Sequence, residues 1–234
     1  MTIPANPLKA ILWDFDGTIV FFNFDAVSMR SEVFGYLQSR GYTLPADGQW
    51  RSVFKAVQEA REYMLGEGYS DEEVQKFAQH VEEIVNTFEV AGNEGARLVP
   101  GVVEVVRQSY AAGLKQAIIT LNRSENVRAI LEQFQIDGFF EVIAGRDTIA
   151  KFKPDPAHPQ YIIDQLGVQA EECLMIGDHP QDLETAQNAG IPFVAVVTER
   201  HNAEEFSDAT YFVSQETMLD LLPIVRDLSF STKL

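Results

Sequence analysis

The hydrophobic and polar positions of this chain predict strands separated by helices. From residue 101 onward, short apolar runs alternate with longer segments whose apolar positions recur at helical spacing. Predicted strands cover residues 10–13, 116–120, 141–144, 173–176, 192–197 and 211–213. Predicted helices cover residues 102–112, 124–134, 159–166, 180–189 and 216–228. This alternation is typical of an α/β fold with a doubly wound parallel sheet.

Residues 20–98 interrupt that alternation with helical patterns alone. Three helices are predicted, over residues 26–40, 50–65 and 71–91, with glycine-containing breaks between them. The sequence therefore predicts two domains. Residues 1–19 and 99–234 form the α/β core, and residues 20–98 form a smaller all-α insertion after the first strand.

Composition narrows the classes of function. Hydrophobic residues make up 46% of the chain, which favours a globular protein. The formal net charge of −17, from 35 acidic and 18 basic residues, argues against a nucleic-acid partner, because binding that polyanion requires a basic surface. Cys173 is the only cysteine, which excludes an internal disulfide and fits a reducing cytoplasm; we expect it to be buried in a strand.

The chain carries no apolar run of the ~18 residues that a membrane span needs, and its N-terminus lacks the pattern of a signal peptide. We therefore expect a cytoplasmic protein with no membrane partner. The acidic composition is compatible with a monomer or a homodimer.

Polar side chains follow the ends of several predicted strands, and parallel strands bring their carboxyl ends to one edge of the sheet. They are Asp14, Asp16 and Thr18 after the first strand, Thr120 at the end of the second, Lys153 beside Pro154, and Asp178 with Asp182 after Gly177. Such oxygen ligands suit Mg²⁺ better than zinc, and there is no cluster of histidine and cysteine. His158 shows no ligand spacing and is expected to be structural or exposed.

This set of side chains suits phosphoryl transfer. Asp14 can attack phosphorus and form an aspartyl phosphate, with Mg²⁺ held near Asp14 and Asp178. Lys153 and Thr120 would hold the phosphoryl oxygens, helped by backbone amides at a helix start. Asp16 would protonate the leaving oxygen and then activate water.

Four motifs occur in a fixed order: Asp14-x-Asp16-Gly17-Thr18, the apolar strand ending in Thr120, Lys153-Pro154, and Gly177-Asp178-x-x-x-Asp182. In the order of these motifs the chain resembles the haloacid dehalogenase superfamily. It is similar to the phosphatase branch, which has a helical cap after the first strand. The resemblance implies a Rossmann-like core, a cap at residues 20–98, and Asp14 and Asp16 as nucleophile and acid/base. It also implies Asp14, the Asp16 backbone carbonyl and Asp178 as magnesium ligands, with Asp182 as a support that orients either Lys153 or metal-bound water.

The chain departs from that pattern beside Thr120. Many relatives have asparagine next, where this chain has Leu121, and Asn122 is displaced by one position. We expect the backbone amide of Leu121 to contribute to phosphate binding. Lys151 competes with Lys153, which we favour because the family places its lysine beside the proline.

These observations predict a Mg²⁺-dependent phosphatase for a small phosphorylated metabolite, similar to phosphoglycolate phosphatases. Two alternatives stay open at this point. One is a sugar-phosphate mutase similar to β-phosphoglucomutase, which uses the same core residues. The other is a catalytically silent binding protein on the same fold. A dehalogenase fits less well, because those relatives lack the second aspartate that is present here as Asp16.

Overall fold

A computed structural model of the chain describes residues 6–22, 24–44 and 52–229. Two compact units are present. The first comprises Met1–Phe22 and Ala96–Leu234, and the second comprises Asn23–Gly95. Among the described residues no helix is both long enough and apolar enough to cross a membrane.

Regular structure accounts for most of the described residues. The strands are β1 (Ala10–Trp13), β2 (Val20–Phe21), β3 (Arg97–Leu98), β4 (Lys115–Ile119), β5 (Val142–Ala144), β6 (Cys173–Gly177), β7 (Phe193–Val197) and β8 (Tyr211–Ser214). The α-helices are α1 (Ala26–Ser39), α2 (Val53–Gly66), α3 (Asp71–Asn93), α4 (Val102–Ala111), α5 (Ser124–Gln133), α6 (Ala157–Leu166), α7 (Pro180–Ala189) and α8 (Leu221–Ser229).

Six strands form one parallel sheet in the order β5-β4-β1-β6-β7-β8. The first strand in sequence therefore lies in the middle, between β4 and β6. Helices pack on both faces, so the predicted doubly wound α/β fold is confirmed.

Alternating side chains of the strands supply two hydrophobic cores, one on each face of the sheet. Ile11 and Trp13 of β1 belong to the core that includes α4, α5 and α8. Ala10 and Leu12 belong to the core that includes α6 and α7. Because both faces are covered, the strands are apolar at successive positions, and this is why they appear in the sequence as continuous apolar runs.

Most predicted elements agree with the structure to within two residues, and the differences have local causes. Helix α6 begins two residues before the predicted start, and the Asp155 carboxylate accepts a hydrogen bond from the Ala157 amide at 2.9 Å there. The predicted helix over residues 216–228 is wrong in its first half, where Gln215–Asp220 forms a 3-10 helix. Pro223 cannot donate a helical hydrogen bond, so the α-helix begins only at Leu221.

The second unit contains α1, α2 and α3, as the sequence predicts for this part of the chain. The predicted start of its middle helix, at residue 50, lies outside the described residues, which give a helix from Val53. These helices share a hydrophobic cluster of their own, centred on residues such as Val33, Leu37, Phe77 and Val81. The first unit also contains a short antiparallel pair, β2 with β3, that the hydrophobic pattern did not predict because two-residue strands are too short to show periodicity.

Cys173 lies in β6 and is buried, as expected. Burial raises the pKa of its thiol to about 12, with Glu172 and Glu171 adding to the shift. The thiol therefore stays protonated at neutral pH and packs as an apolar side chain.

Candidate active site

The register of the central strands brings their carboxyl ends to one level. Trp13 of β1 pairs with Ile118 of β4 on one side and with Ile176 of β6 on the other. The Asp14 amide donates to the Ile176 carbonyl at 2.8 Å, which extends this ladder by one residue. The polar residues after β1, β4 and β6 therefore leave the sheet at the same edge, as predicted from the order of the motifs.

Lys153 lies between two carboxylates at this edge. Its ammonium group donates to Asp14 Oδ1 at 2.6 Å and to Asp182 Oδ1 at 2.7 Å. All three side chains are buried, with exposed fractions of 8% or less. These contacts join residues that are far apart in the sequence. By contrast the Lys151 side chain is 72% exposed and pairs with Asp155. Of the two candidate lysines, only Lys153 therefore contacts the buried aspartates.

Asp178 completes an acidic cluster with Asp14 and Asp182. One carboxylate oxygen of each residue lies within 4.8 Å of the others. Asp178 follows β6 directly, whereas Asp182 lies in the first turn of α7. Asp182 Oδ2 also accepts the His179 amide at 3.1 Å, so Asp182 both contacts Lys153 and caps its own helix.

Burial and mutual repulsion control the charges of this cluster. Burial raises the pKa of Asp14 to about 7, with Asp182 adding to the increase and Lys153 opposing it. Burial likewise raises the pKa of Asp178 to about 8, and the nearby carboxylates of Asp14 and Asp182 contribute. Burial alone would lower the pKa of Lys153, but Asp14 and Asp182 outweigh it and hold that pKa above its ordinary range.

The donor set fits a divalent cation. The cluster has three carboxylates and one ammonium group, which contacts only Asp14 and Asp182, so the ionised site has an excess of negative charge in a low-dielectric environment. A hard cation bound by carboxylate oxygens would remove that excess and favour the ionised form of both Asp14 and Asp178. The site can therefore hold a metal ion through its aspartates. A contribution from the Asp16 backbone carbonyl stays a prediction.

The turn after β1 brings Asp16 and Gly17 close to Asp178. The Gly17 amide donates to the Val20 carbonyl at 2.8 Å, and Gly17 has a positive φ of 86°. A Cβ atom at Gly17 would overlap the Asp178 carboxylate, so only glycine lets these two segments approach so closely. Asp16 is partly exposed and is near enough to contribute to the raised pKa of Asp178.

Thr120 lies at the end of β4 and is buried, and hydrogen bonds organise the loop that follows it. The Thr120 hydroxyl oxygen accepts the Asn122 amide at 3.0 Å. The Asn122 side-chain oxygen accepts the Arg123 amide at 2.8 Å, so this side chain holds the loop rather than pointing away from it. The Leu121 carbonyl accepts a hydrogen bond from the Arg146 guanidinium at 2.8 Å.

Arg146 was missed in the sequence analysis, and no hydrogen-bond partner was indicated there for His158. Arg146 follows β5 and is buried against the loop after β4. His158, expected to be structural or exposed, is fully buried and bonds to the backbone of Lys153. The only signal for Arg146 was its position just past a strand end. Nothing in the spacing of His158 indicated its partner, because that contact depends on how the loop before α6 is folded.

Comparison with known proteins shows the family of the chain. The family model for haloacid dehalogenase-like hydrolases matches residues 11–196. A phosphoglycolate phosphatase of Mesorhizobium japonicum is 31% identical over 202 residues, covering 83% of this chain and 86% of the relative. A pyrophosphatase PpaX of Halalkalibacterium halodurans is 34% identical over 128 residues, covering 53% and 58%.

Solved structures support the fold. A hydrolase from Pseudomonas syringae superposes with a TM-score of 0.66 at 20% identity and covers 94% of this chain and 98% of that one. The family match spans β1 to β7, and the Mesorhizobium relative matches at 31% identity over most of both chains. The chain therefore belongs to the haloacid dehalogenase-like hydrolase family, and its relatives include phosphatases.

Proposed function

We propose that this protein is a Mg²⁺-dependent phosphatase that hydrolyses a small phosphorylated metabolite through an aspartyl phosphate on Asp14. The observation that carries the proposal is the buried cluster of Asp14, Lys153, Asp178 and Asp182 at the carboxyl edge of the sheet. The names of its relatives, a phosphoglycolate phosphatase and a pyrophosphatase, support a small phosphorylated substrate.

In the first step an Asp14 carboxylate oxygen attacks phosphorus in line with the ester bond. The new bond joins that oxygen to phosphorus, and the bond between phosphorus and the ester oxygen breaks. Asp16, in its protonated form, donates its proton to the departing oxygen, so that an alcohol leaves. Lys153 favours this step because its ammonium group stabilises the ionised form of Asp14.

In the second step a water molecule hydrolyses the aspartyl phosphate. Asp16, now a carboxylate, accepts a proton from water while the water oxygen attacks phosphorus. The bond between phosphorus and Asp14 breaks, which releases inorganic phosphate and regenerates the Asp14 carboxylate. Asp16 ends the cycle protonated, ready for the next substrate.

The remaining groups stabilise charge on the phosphoryl oxygens. A bound Mg²⁺, held by Asp14, Asp178 and the Asp16 carbonyl, would supply electrostatic stabilisation of those oxygens. Thr120 accepts a hydrogen bond from Asn122, which leaves its hydroxyl proton as the donor we assign to a phosphoryl oxygen. The Leu121 amide and Lys153 complete the proposed phosphate-binding groups, while Asp182 holds the Lys153 ammonium group in place.

The test is release of inorganic phosphate from a panel that includes phosphoglycolate, pyrophosphate and sugar phosphates. We expect turnover with Mg²⁺, loss of turnover with a chelator, and a loss of at least about 1000-fold in kcat for Asp14→Asn. The matched control is Asp227→Asn, which removes an exposed carboxylate of α8 and should leave kcat unchanged.

The alternatives are separate outcomes of the same experiment. Conversion of a sugar phosphate to its isomer without phosphate release would identify a mutase. No turnover on the whole panel by a folded protein would favour a silent binding protein. Two results together would contradict the assigned chemistry: wild-type turnover that persists in the presence of a chelator, and an Asp14→Asn variant that is as active as wild type. We also infer a cytoplasmic location, in agreement with the single buried cysteine, and a monomer or homodimer.

A further inference from the structure

His158 makes two hydrogen bonds from inside the core. It lies in the first turn of α6 and is fully buried. Its Nδ1 accepts the Lys153 backbone amide at 3.1 Å, and its Nε2 lies 3.1 Å from the Ala144 carbonyl oxygen. A carbonyl only accepts and a backbone amide only donates, so both bonds form in a single neutral tautomer with the proton on Nε2.

The Ala144 carbonyl is shared with the strand end that carries Thr120. It also accepts the Thr120 amide at 3.0 Å. The imidazole therefore connects the loop of Lys153 to the end of β5 and, through one carbonyl, to the end of β4. The loop of Lys153 and the end of β4 carry the side chains assigned to the phosphoryl oxygens, Lys153 and Thr120.

The backbone of Lys153 is held on both sides. Its amide donates to His158, and its carbonyl accepts a hydrogen bond from the Gln181 side chain at 3.2 Å. The side chain then extends to Asp14 and Asp182. A lysine side chain has four rotatable bonds, so the position of its ammonium group depends strongly on where its backbone is fixed.

We propose that His158 is a positioning residue that fixes the Lys153 backbone through its Nδ1, so that the Lys153 ammonium group meets both Asp14 and the phosphoryl oxygens. This inference rests on the proposed function, because it needs Lys153 to act on the substrate. A displacement of a reacting group by about 1 Å can cost about 100-fold in rate.

The environment keeps the imidazole in the form that this role needs. Burial, together with the positive charge of Lys153, lowers the pKa of His158 to about 4. At neutral pH Nδ1 therefore keeps its lone pair for the Lys153 amide. A purely structural role is the alternative: a buried histidine that satisfies two backbone groups would stabilise the fold without affecting the chemistry.

Three substitutions separate the two hydrogen bonds. His158→Asn keeps an acceptor at the position of Nδ1 but does not reach Ala144. His158→Gln extends to the position of Nε2 but leaves the Lys153 amide without its acceptor. His158→Phe keeps a ring of similar size and loses both bonds. The measurements are kcat, KM, the inhibition constant of inorganic phosphate, and the unfolding temperature of each variant.

We expect His158→Phe and His158→Gln to lower kcat by 10- to 100-fold and to weaken inhibition by phosphate. His158→Asn should stay within about threefold of wild type. The unfolding temperatures of the Asn and Gln variants should fall by similar amounts, because each loses one bond. Equal activity of the Asn and Gln variants, or activity that follows unfolding temperature across the series, would overturn the proposal.

A Lys153→Met variant tells the failure of this inference from that of the proposed function. A wild-type protein without turnover, or a Lys153→Met variant as active as wild type, refutes the assigned phosphatase site and takes the role of His158 with it. An inactive Lys153→Met variant beside a fully active His158→Phe variant refutes the role of His158 alone. The double variant Lys153→Met, His158→Phe should have an inhibition constant for phosphate within twofold of that of Lys153→Met, because His158 acts only through Lys153.

Discussion

Lys153 shares one ammonium group between Asp14 and Asp182, and this determines which charge of the cluster stays uncompensated. Among the described residues no cation forms an ion pair with Asp178, and its pKa of about 8 reflects burial together with the adjacent carboxylates. Asp178 is therefore the carboxylate whose ionisation depends most on an added cation. The same reasoning applies to Asp14 in its proposed role as nucleophile: a bound cation would favour its ionised form, and a protonated carboxyl cannot attack phosphorus.

Gly17 offers a test of this site at the level of one residue. We expect Gly17→Ala to lower kcat/KM by at least tenfold, because the added methyl group would push the Asp178 carboxylate away from the turn after β1. The variant should also need more Mg²⁺ for half-maximal activity. Both quantities come from steady-state assays at varied Mg²⁺ concentration.

Gly113 is the matched control for that substitution. It has a positive φ of 83°, close to that of Gly17, but no atom lies within 4 Å of an added Cβ. Gly113→Ala should therefore cost stability of about 1 kcal/mol, as expected for alanine in the left-handed region, and leave the Mg²⁺ requirement unchanged. Equal Mg²⁺ requirements in the two variants would show that backbone strain, and not contact with Asp178, explains any effect at Gly17.

At the level of elements, the central strands are joined by a buried side-chain hydrogen bond. The Trp13 indole of β1 donates to the Gln116 side-chain oxygen of β4 at 3.0 Å. The Gln116 amide nitrogen donates to the Val106 carbonyl of α4 at 3.0 Å. This buried glutamine thus connects the strand that carries Asp14 with its neighbour and with the helix above them.

We expect Gln116→Leu to lower the free energy of unfolding by about 1–3 kcal/mol, because the buried indole N–H loses its acceptor. Chemical denaturation followed by far-ultraviolet circular dichroism measures the loss, because this signal does not depend on Trp13. Trp13→Phe combined with Gln116→Leu removes donor and acceptor together, and the double variant should be less destabilised than the sum of the single variants. Strict additivity would show that the two side chains do not interact.

At the level of the whole molecule, the net charge of −17 and the buried carboxylates both lower the stability of the folded state. General repulsion among surface acids weakens the folded state slightly, and any salt screens it. The cluster at the sheet edge is different, because burial protects it from screening by bulk salt, and its charge is neutralised by protonation or by a bound cation. Stabilisation by Mg²⁺ should therefore exceed stabilisation by a monovalent salt.

We expect Mg²⁺ at about 100 times its dissociation constant to stabilise the protein by about 2.7 kcal/mol. That corresponds to an increase of about 5–10 °C in unfolding temperature for a chain of this size. Differential scanning calorimetry measures it, with NaCl at equal ionic strength as the control for screening. Asp178→Asn should remove most of the increase. An equal increase with NaCl would contradict a specific cation site.

The sequence by itself determined the class of fold and the edge of the sheet at which the candidate catalytic residues lie. Continuous apolar runs marked strands buried on both faces, and Asp14, Thr120 and Asp178 each followed such a run. That information is local, since it depends on periodicity within a segment and on the residue that ends it. Two-residue strands such as β2 and β3 are too short to carry it.

Only the tertiary structure decided which loops meet. It distinguished Lys153 from Lys151, placed the Asp182 carboxylate on the Lys153 ammonium group, and revealed the bond from His158 to the Lys153 backbone. The physical reason is that contacts between distant residues follow from the order of strands in the sheet and from the path of each loop. Neither property leaves a periodic signal in the chain.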